Sequence, residues 1–518
     1  MLQQKEINSP FGTGFLLLLF VWKLFLLLVY KFPIEDLWHQ QTLATNFTNG
    51  YGLHYLSASS ADLSLWTKIT LFKWPPLLSL LIGLLTQVTK NTNTAIAILD
   101  SFSLLVFLYS LKKILSVIQL DTRSQWYLWL LLFFNPVLTD LLSTSDWISL
   151  SLWLTSFYYW IQFVKKEKAS FWYILFISLL AFLPAAFRFQ YSVLVIVIPV
   201  YLLFQSLKWK QKEMIKRMAL TTVLILILLL SQFQIIAVLN NNTTLLKEAT
   251  GFYPENLSMM NPFFLNAFLP ANLLLNQVSG LLSTDLISLL QSAGFLSLVL
   301  FILFLAILLT RKKEGVAYLF QQVSLVSILV LILFLSFLSV RYKQQVNGST
   351  TFTYVQEARY WSIALVLIPI LAIMNIKRKN TNFFRYAFVL ILLFSVVPLF
   401  SRLVKTYVQI DPSSTFAYRM EPKNHIATIV AESLRENKRP VIMCAFDDDY
   451  ALQNASISYA VLPHDTLFSM KQLRSSKPIW FFLITRDNPD ENMKTFILLN
   501  NLVQIAHEPG VFRLYRNL

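Results

Sequence analysis

The sequence predicts a mainly α-helical bundle that crosses a membrane many times, with a small soluble α/β domain at its C-terminal end. Three observations carry that reading. Of 518 residues, 56% are hydrophobic and 14% charged. The mean hydropathy of +0.57 is too high for a chain folded wholly in water. Long apolar runs recur through residues 12–403, and beyond them the pattern changes to short strand-like and helix-like stretches.

The apolar runs place spans near 12–31, 93–111, 124–142, 146–164, 170–187, 189–207, 218–239, 286–310, 318–340, 358–376 and 383–403, eleven in all. The first lacks a small-residue cleavage pattern before Lys31 or Phe32, so it reads as a retained anchor rather than a signal peptide. Segment 75–89 has about 15 residues, closer to an interfacial or re-entrant piece than to a span. Its opening pair Pro75-Pro76 fits a helix start, where the missing N–H groups have no partner to lose.

Lys plus Arg outnumber Asp plus Glu by 43 to 27, a formal charge of +16. In a membrane protein this excess signals topology and does not call for a nucleic-acid partner. It gathers in alternate connections: Lys112, Lys113 and Arg123; Lys165, Lys166 and Lys168; Lys208, Lys210, Lys212, Lys216 and Arg217; Arg311, Lys312 and Lys313; Lys377, Arg378 and Lys379. The positive-inside rule puts these loops and the N-terminus in the cytoplasm.

The expected domains are therefore 1–403, a membrane body with outer loops 32–92 and 241–285, and 404–518, an extracytoplasmic α/β domain. In that tail, 426–430 reads as helix, and 440–446, 478–484 and 511–515 read as strands. The single cysteine, Cys444, excludes an internal disulfide and reads as an inert thiol.

Candidate chemistry concentrates on the outer side. Glu35-Asp36 lies just beyond the first span, at the head of a loop rich in aromatic residues. A carboxylate shielded from water in an outward cavity can accept the proton of an acceptor hydroxyl or amine; the bland reading is the polar end of a span. Arg188, Arg341 and Arg359 map to outer span ends, where a planar guanidinium suits a phosphate; snorkelling to lipid headgroups is the alternative for each. Lys23 and Asp100 fall near mid-depth of adjacent spans and are expected to pair as a structural bridge. Asp447-Asp448-Asp449 imitates a metal-holding acidic run, which leaves a divalent metal open, but reads better as a strand-end turn. The five histidines show no metal-ligand spacing, so no cofactor is expected.

The order of several weak motifs resembles the GT-C superfamily of polytopic glycosyltransferases, which includes protein O-mannosyltransferases and the lipid A aminoarabinose transferase. They are Asp36, followed by Gly50-Tyr51-Gly52 and then Trp74-Pro75-Pro76-Leu77-Leu78; Asn135-Pro136 followed by Asp146; Arg188 before a span containing Pro199; and Arg359-Tyr360 before a span containing Pro369. The resemblance covers residues 12–403.

It implies transfer of a sugar from a polyprenyl-phosphate carrier, on the outer face, with inversion. It also implies Asp36 as general base, with Glu35 a second candidate; the departing lipid phosphate of such a reaction needs fixed cations, for which Arg188, Arg341 and Arg359 at the outer span ends are the candidates. The substrate loop would comprise Trp38, His39, Gly50, Tyr51, Trp74, Pro75 and Pro76, with Trp38 and His39 standing where many relatives have a tyrosine. Expected partners are the lipid-linked donor, a lipid, glycan or protein acceptor, and membrane lipids, in the bacterial cytoplasmic membrane. The competing reading is a transporter or lipid flippase, against which stands the lack of paired, interrupted half-repeats. An oligosaccharide polymerase or ligase would share the chemistry and differ in donor size.

Overall fold

The computed structural model describes residues 17–24 apart from 19, 35–69, 75–135, 145–166, 169–208, 210–239, 315–341, 344–346, 349–351, 358–375, 417–445, 457–462, 466–467, 472–509 and 512–518, with a few single residues between. Single residues aside, the expected spans at 286–310 and 383–403, the loop 241–285, Trp74 and the Asp447-Asp448-Asp449 run lie outside the described residues.

Along the chain, α1 (Glu35–Thr48) leads into a hairpin of β1 (Tyr55–Ala58) and β2 (Trp66–Ile69). Helices follow: α2 (Leu77–Thr89), α3 (Thr92–Val117), α4 (Thr122–Phe134), α5 (Ser145–Lys165), α6 (Phe171–Phe187), α7 (Tyr191–Lys208), α8 (Lys212–Leu239) and α9 (Gly315–Arg341). A small hairpin of β3 (Gln344–Val346) and β4 (Ser349–Thr351) and a short 3₁₀ helix (Ala358–Trp361) precede α10 (Ser362–Asn375). The tail holds α11 (Ala417–Glu436), β5 (Val441–Ala445), β6 (Ala460–Val461), β7 (Trp480–Thr485), α12 (Glu491–Leu499), β8 (Val503–Glu508) and β9 (Phe512–Arg516). These elements form two compact units, one of Met1–Lys31, Asp100–Val238 and Asn242–Val404, the other of Phe32–Leu99, Leu239–Asn241 and Lys405–Leu518.

The first unit is a helical bundle. Helices α3, α7, α8 and most of α9 are long and apolar enough to cross a bilayer, and α6 is a shorter apolar helix. On α8, Val223, Ile227, Leu230, Ile235 and Val238 are each at least half exposed, whereas Thr221, Thr222, Ile225 and Leu229 are buried. An outward stripe of bare apolar side chains is costly in water and natural against lipid, so the chain is an integral membrane protein. Inside the bundle, aromatic side chains interlock the helices. Phe157 of α5 stacks on Phe320 of α9 at 5.2 Å, and Phe107 of α3 meets Trp147 of α5 at 4.9 Å. Some interior hydroxyls are satisfied within their own helix, Thr221 and Thr222 donating to the carbonyls of Arg217 and Met218, and Ser110 bonds Thr155 of the neighbouring helix at 2.7 Å.

The second unit centres on a mixed seven-stranded sheet in the order β2-β1-β6-β5-β7-β9-β8. Strands β1, β6, β5 and β7 run parallel, and β2, β9 and β8 are joined antiparallel at the flanks. The central strands are buried on both faces, which is why 440–446 and 478–484 read as unbroken apolar runs. Ile442, Cys444, Phe481 and Leu483 face one core together with Met493 and Phe496 of α12. Val441, Met443, Trp480, Phe482 and Ile484 face the other, with Ile426 and Val430 of α11. Each such large apolar side chain contributes roughly 1.5–3 kcal/mol when fully buried. Cys444 is a core residue.

One whole edge of the sheet comes from the first loop, since β2 is the edge strand, β1 lies beside it, and Ser57 of β1 pairs with Val461 of β6. A three-residue tip fixes this junction: the Asp62 carboxylate accepts from the backbone N–H groups of Ser64 and Ser476, and Leu63 N–H donates to the Arg474 carbonyl. The hydroxyls of Ser476 and then Ser64, helped by those backbone donors, hold the Asp62 carboxyl well below the usual carboxylate range. Helix α1 packs on the short helix α2 at a close approach. A Cβ on Gly83 would lie 2.7 Å from Phe47 and 3.2 Å from the Ala44 carbonyl, and the Thr48 hydroxyl donates to the Gly83 carbonyl.

Candidate functional site

In the helical unit, three residues separate α6 from α7, and the turn they make assembles a buried charged cluster. Pro184 disrupts the last turn of α6; Arg188 then adopts an extended backbone, with its N–H donating to the Pro184 carbonyl, and α7 begins at Tyr191. The turn brings Arg188 and Gln190 to Asp146 in the first turn of α5. Arg188 Nε lies 3.1 Å from one Asp146 oxygen, which also accepts from Gln190 Nε2 at 2.9 Å. The other oxygen lies 3.8 Å from Arg359 Nη1. All three charged groups are withdrawn from solvent, Asp146 completely, Arg188 to 3% exposure and Arg359 to 6%.

Tyr360 completes the group. Both guanidinium carbons lie 5.5 Å from its ring centre, and Arg188 Nη2 reaches its hydroxyl at 3.5 Å. Next to it, the Tyr191 and Ser362 hydroxyls bond at 3.3 Å, tying α7 to α10. Two positive and one negative charge thus share a dry site, where their fields act far more strongly than in water.

The same helix carries an apolar groove. Ser192, Ile196 and Val200 of α7, Leu226 and Phe233 of α8, and Val326 of α9 are among the walls of a cavity of about 600 Å³. Its wall begins at Ser192, one residue after Tyr191 and four after Arg188 in sequence.

The other sequence-predicted residues divide as follows. Glu35 and Asp36 open α1, and their side chains lie outside the description along with that of Trp38. His39 stands edge-on to Tyr55, rings 5.8 Å apart. Gly50, at φ +85°, turns the chain out of α1 in the left-handed region, and Tyr51 reaches Trp66 of β2 with 5.7 Å between ring centres. Pro75 is buried and Pro76 caps α2. Lys23 and Asp100 are both buried, at 2% and 6% exposure, with the Lys23 ammonium 6.0 Å from the Phe133 ring. Arg341 ends α9, and its side chain is outside the description.

Helix α1 is also seated on the tail. Burial pushes the Tyr459 hydroxyl up to about 12 against the opposing hydrogen bond of Thr42, and burial followed by the Tyr459 neighbour raises Tyr55. Among the described residues there is no cluster of three or more His, Cys, Asp and Glu fit to hold a metal.

Asp146 enters the sequence reading only as part of a motif, and Gln190, Tyr191 and Ser362 not at all. The available signal was a carboxylate at the very start of an apolar span, which is expensive there unless paired.

No protein-family model matches the chain, and comparison with curated proteins finds no match. Among solved structures, ArnT from Cupriavidus metallidurans bound to undecaprenyl phosphate is similar, with a TM-score of 0.57 and 11% identity over 98% of both chains. The protein therefore has an ArnT-like fold, a polytopic helical membrane body with a sheet built mostly from the C-terminal tail.

Proposed function

We propose that this chain is an integral membrane glycosyltransferase that moves a sugar from a polyprenyl-phosphate donor to an acceptor at the extracytoplasmic face. The observations that carry the reading are the buried Asp146–Arg188–Arg359 cluster, whose Arg188 lies in the turn leading into α7, and the apolar groove whose wall begins at Ser192 in the first turn of α7. A lipid phosphate has those two parts, an anion and a hydrocarbon chain. The solved structure of similar fold contains undecaprenyl phosphate, which agrees with this reading.

The mechanism is one displacement. A carboxylate, Asp36 in preference to Glu35, takes the proton of the acceptor hydroxyl or amine as its oxygen or nitrogen attacks the anomeric carbon. The bond from that carbon to the phosphate oxygen breaks, and configuration inverts. Negative charge grows on the departing polyprenyl phosphate, and Arg188 and Arg359 stabilise it with charge-assisted hydrogen bonds already in position, joined by Arg341 from the end of α9. Asp146 and Gln190 act through Arg188 as positioning residues, and the Tyr360 ring restricts both guanidiniums.

Transfer from a radiolabelled polyprenyl-phosphate sugar, measured in proteoliposomes with cell-envelope acceptors, tests the assignment. Asp36→Asn is expected to abolish transfer while the protein stays folded and still binds polyprenyl phosphate. Full activity in both Asp36→Asn and Glu35→Gln would remove the carboxylate base from the account.

A further inference from the structure

The sheet-bearing unit has a cavity of its own, about 520 Å³ in volume, within the roughly 300–1,000 Å³ of small-molecule sites. Its first wall is the early loop, with Asn49, Tyr51 and Trp66; its second is the tail, with Lys438, Arg439 and Ser458. The walls are joined where Asn49 Nδ2 donates to the Ser458 hydroxyl at 2.9 Å. The Tyr51 and Trp66 rings meet at 43°, both anchored against the core below, and make an angled aromatic platform. The Trp66 indole N–H is shielded from solvent and has no hydrogen-bond acceptor among the described residues.

The second wall is cationic. The Arg439 guanidinium lies 4.5 Å from the Trp480 ring centre, and that indole is itself fixed by its N–H donating to the Asn437 carbonyl at 2.8 Å. Arg439 Nε has no acceptor among the described residues, and Lys438 projects exposed beside it. No carboxylate lines the cavity among the described residues. Two cations facing a tilted pair of aromatic rings match a ring with an apolar C–H face, several hydroxyls and a negative substituent.

We infer that this cavity binds an anionic saccharide, its ring on Tyr51 and Trp66 and its phosphate or carboxylate at Arg439 and Lys438. A guanidinium held by stacking gives such an anion a paired donor at little entropic cost. Binding itself does not depend on the proposed function; that the saccharide belongs to the acceptor rests on that reading.

The full-length protein in nanodiscs is titrated calorimetrically with N-acetylglucosamine 1-phosphate, N-acetylglucosamine and inorganic phosphate, with no donor present. The sugar phosphate is expected to bind at least about tenfold more tightly than either fragment. Lys438→Gln with Arg439→Gln should bring it down to the neutral sugar, whereas Trp66→Ala should weaken both sugars and leave phosphate unchanged. If the Arg439 variant fails to fold, Lys438→Glu alone, on an exposed side chain, should lower sugar-phosphate affinity severalfold. Equal binding of phosphate and sugar phosphate, no saturable sugar-phosphate binding, or unchanged affinity in the folded cation variants would overturn the inference. A protein that binds the sugar phosphate yet transfers nothing from any polyprenyl-phosphate sugar would sink the proposed function and leave this site standing.

Discussion

Arg188 Nε and the Asp146 carboxylate meet at 3.1 Å in a site from which solvent is almost entirely excluded, although 42 positions separate them in sequence. The pair links the turn before α7 to the start of α5, and Arg359 brings the 3₁₀ helix before α10 to the same carboxylate. Removing one partner of a buried pair leaves an uncompensated charge and costs about 3–5 kcal/mol. Asp146→Leu is therefore expected to lower the thermal midpoint of the detergent-solubilised protein strongly, and adding Arg188→Met should recover part of the loss. Equal midpoints for wild type and Asp146→Leu would show that the cluster contributes nothing to the fold.

Gly83 tests the seating of the helix that carries Glu35 and Asp36. A methyl group there meets Phe47 and the Ala44 backbone of α1, so Gly83→Ala should destabilise by about 1–3 kcal/mol through overpacking. Phe47→Leu in the same chain should relieve much of it, as read by protection of α1 amides from hydrogen exchange. An unaltered exchange pattern in Gly83→Ala would contradict the close approach.

How far the sequence disclosed this architecture depends on how each element is buried. Strands β5, β7 and β9 were legible because their inward residues form continuous or near-continuous apolar runs. Strand β8 was not, since Gln504, His507 and Glu508 interrupt it at the sheet edge, and β6 has only two residues. The contribution of the first loop was hidden for another reason: Trp66-Thr67-Lys68-Ile69 is mostly exposed, and its role comes from pairing with a strand close in sequence that itself joins β6 about 400 residues later. At the site, Arg188 and Arg359 were visible as arginines at span ends. Their common partner was not, because closure of three helices around Asp146 is a long-range event without a local pattern.

Lys23 and Asp100 offer a rescue experiment. Both are buried within the helical unit, where a lone charge is costly. Lys23→Leu alone should reduce the yield of folded protein, measured by monodisperse elution in detergent, and Lys23→Leu with Asp100→Leu should restore it. A double variant no better than the single one would remove the expected bridge between them.

Acid should loosen the junction between the first loop and the tail. The carboxyl of Asp62 is depressed by its Ser476 and Ser64 hydrogen bonds, so its contribution is complete above the unfolded value near 4 and fades as pH falls toward the folded one. Wild type is expected to lose stability over that acid range more steeply than Asp62→Asn, as followed by thermal midpoints at successive pH values. Parallel acid limbs for the two proteins would contradict the assignment.

The central claim is that the membrane body holds a polyprenyl phosphate by both its ends, and native mass spectrometry of the purified protein reads this directly. Titrated side by side, polyprenyl phosphate should bind saturably, and the matching polyprenol, with the same chain and no phosphate, should bind at least about tenfold more weakly. Equal binding of the two lipids, or no saturable binding of either, would contradict the account.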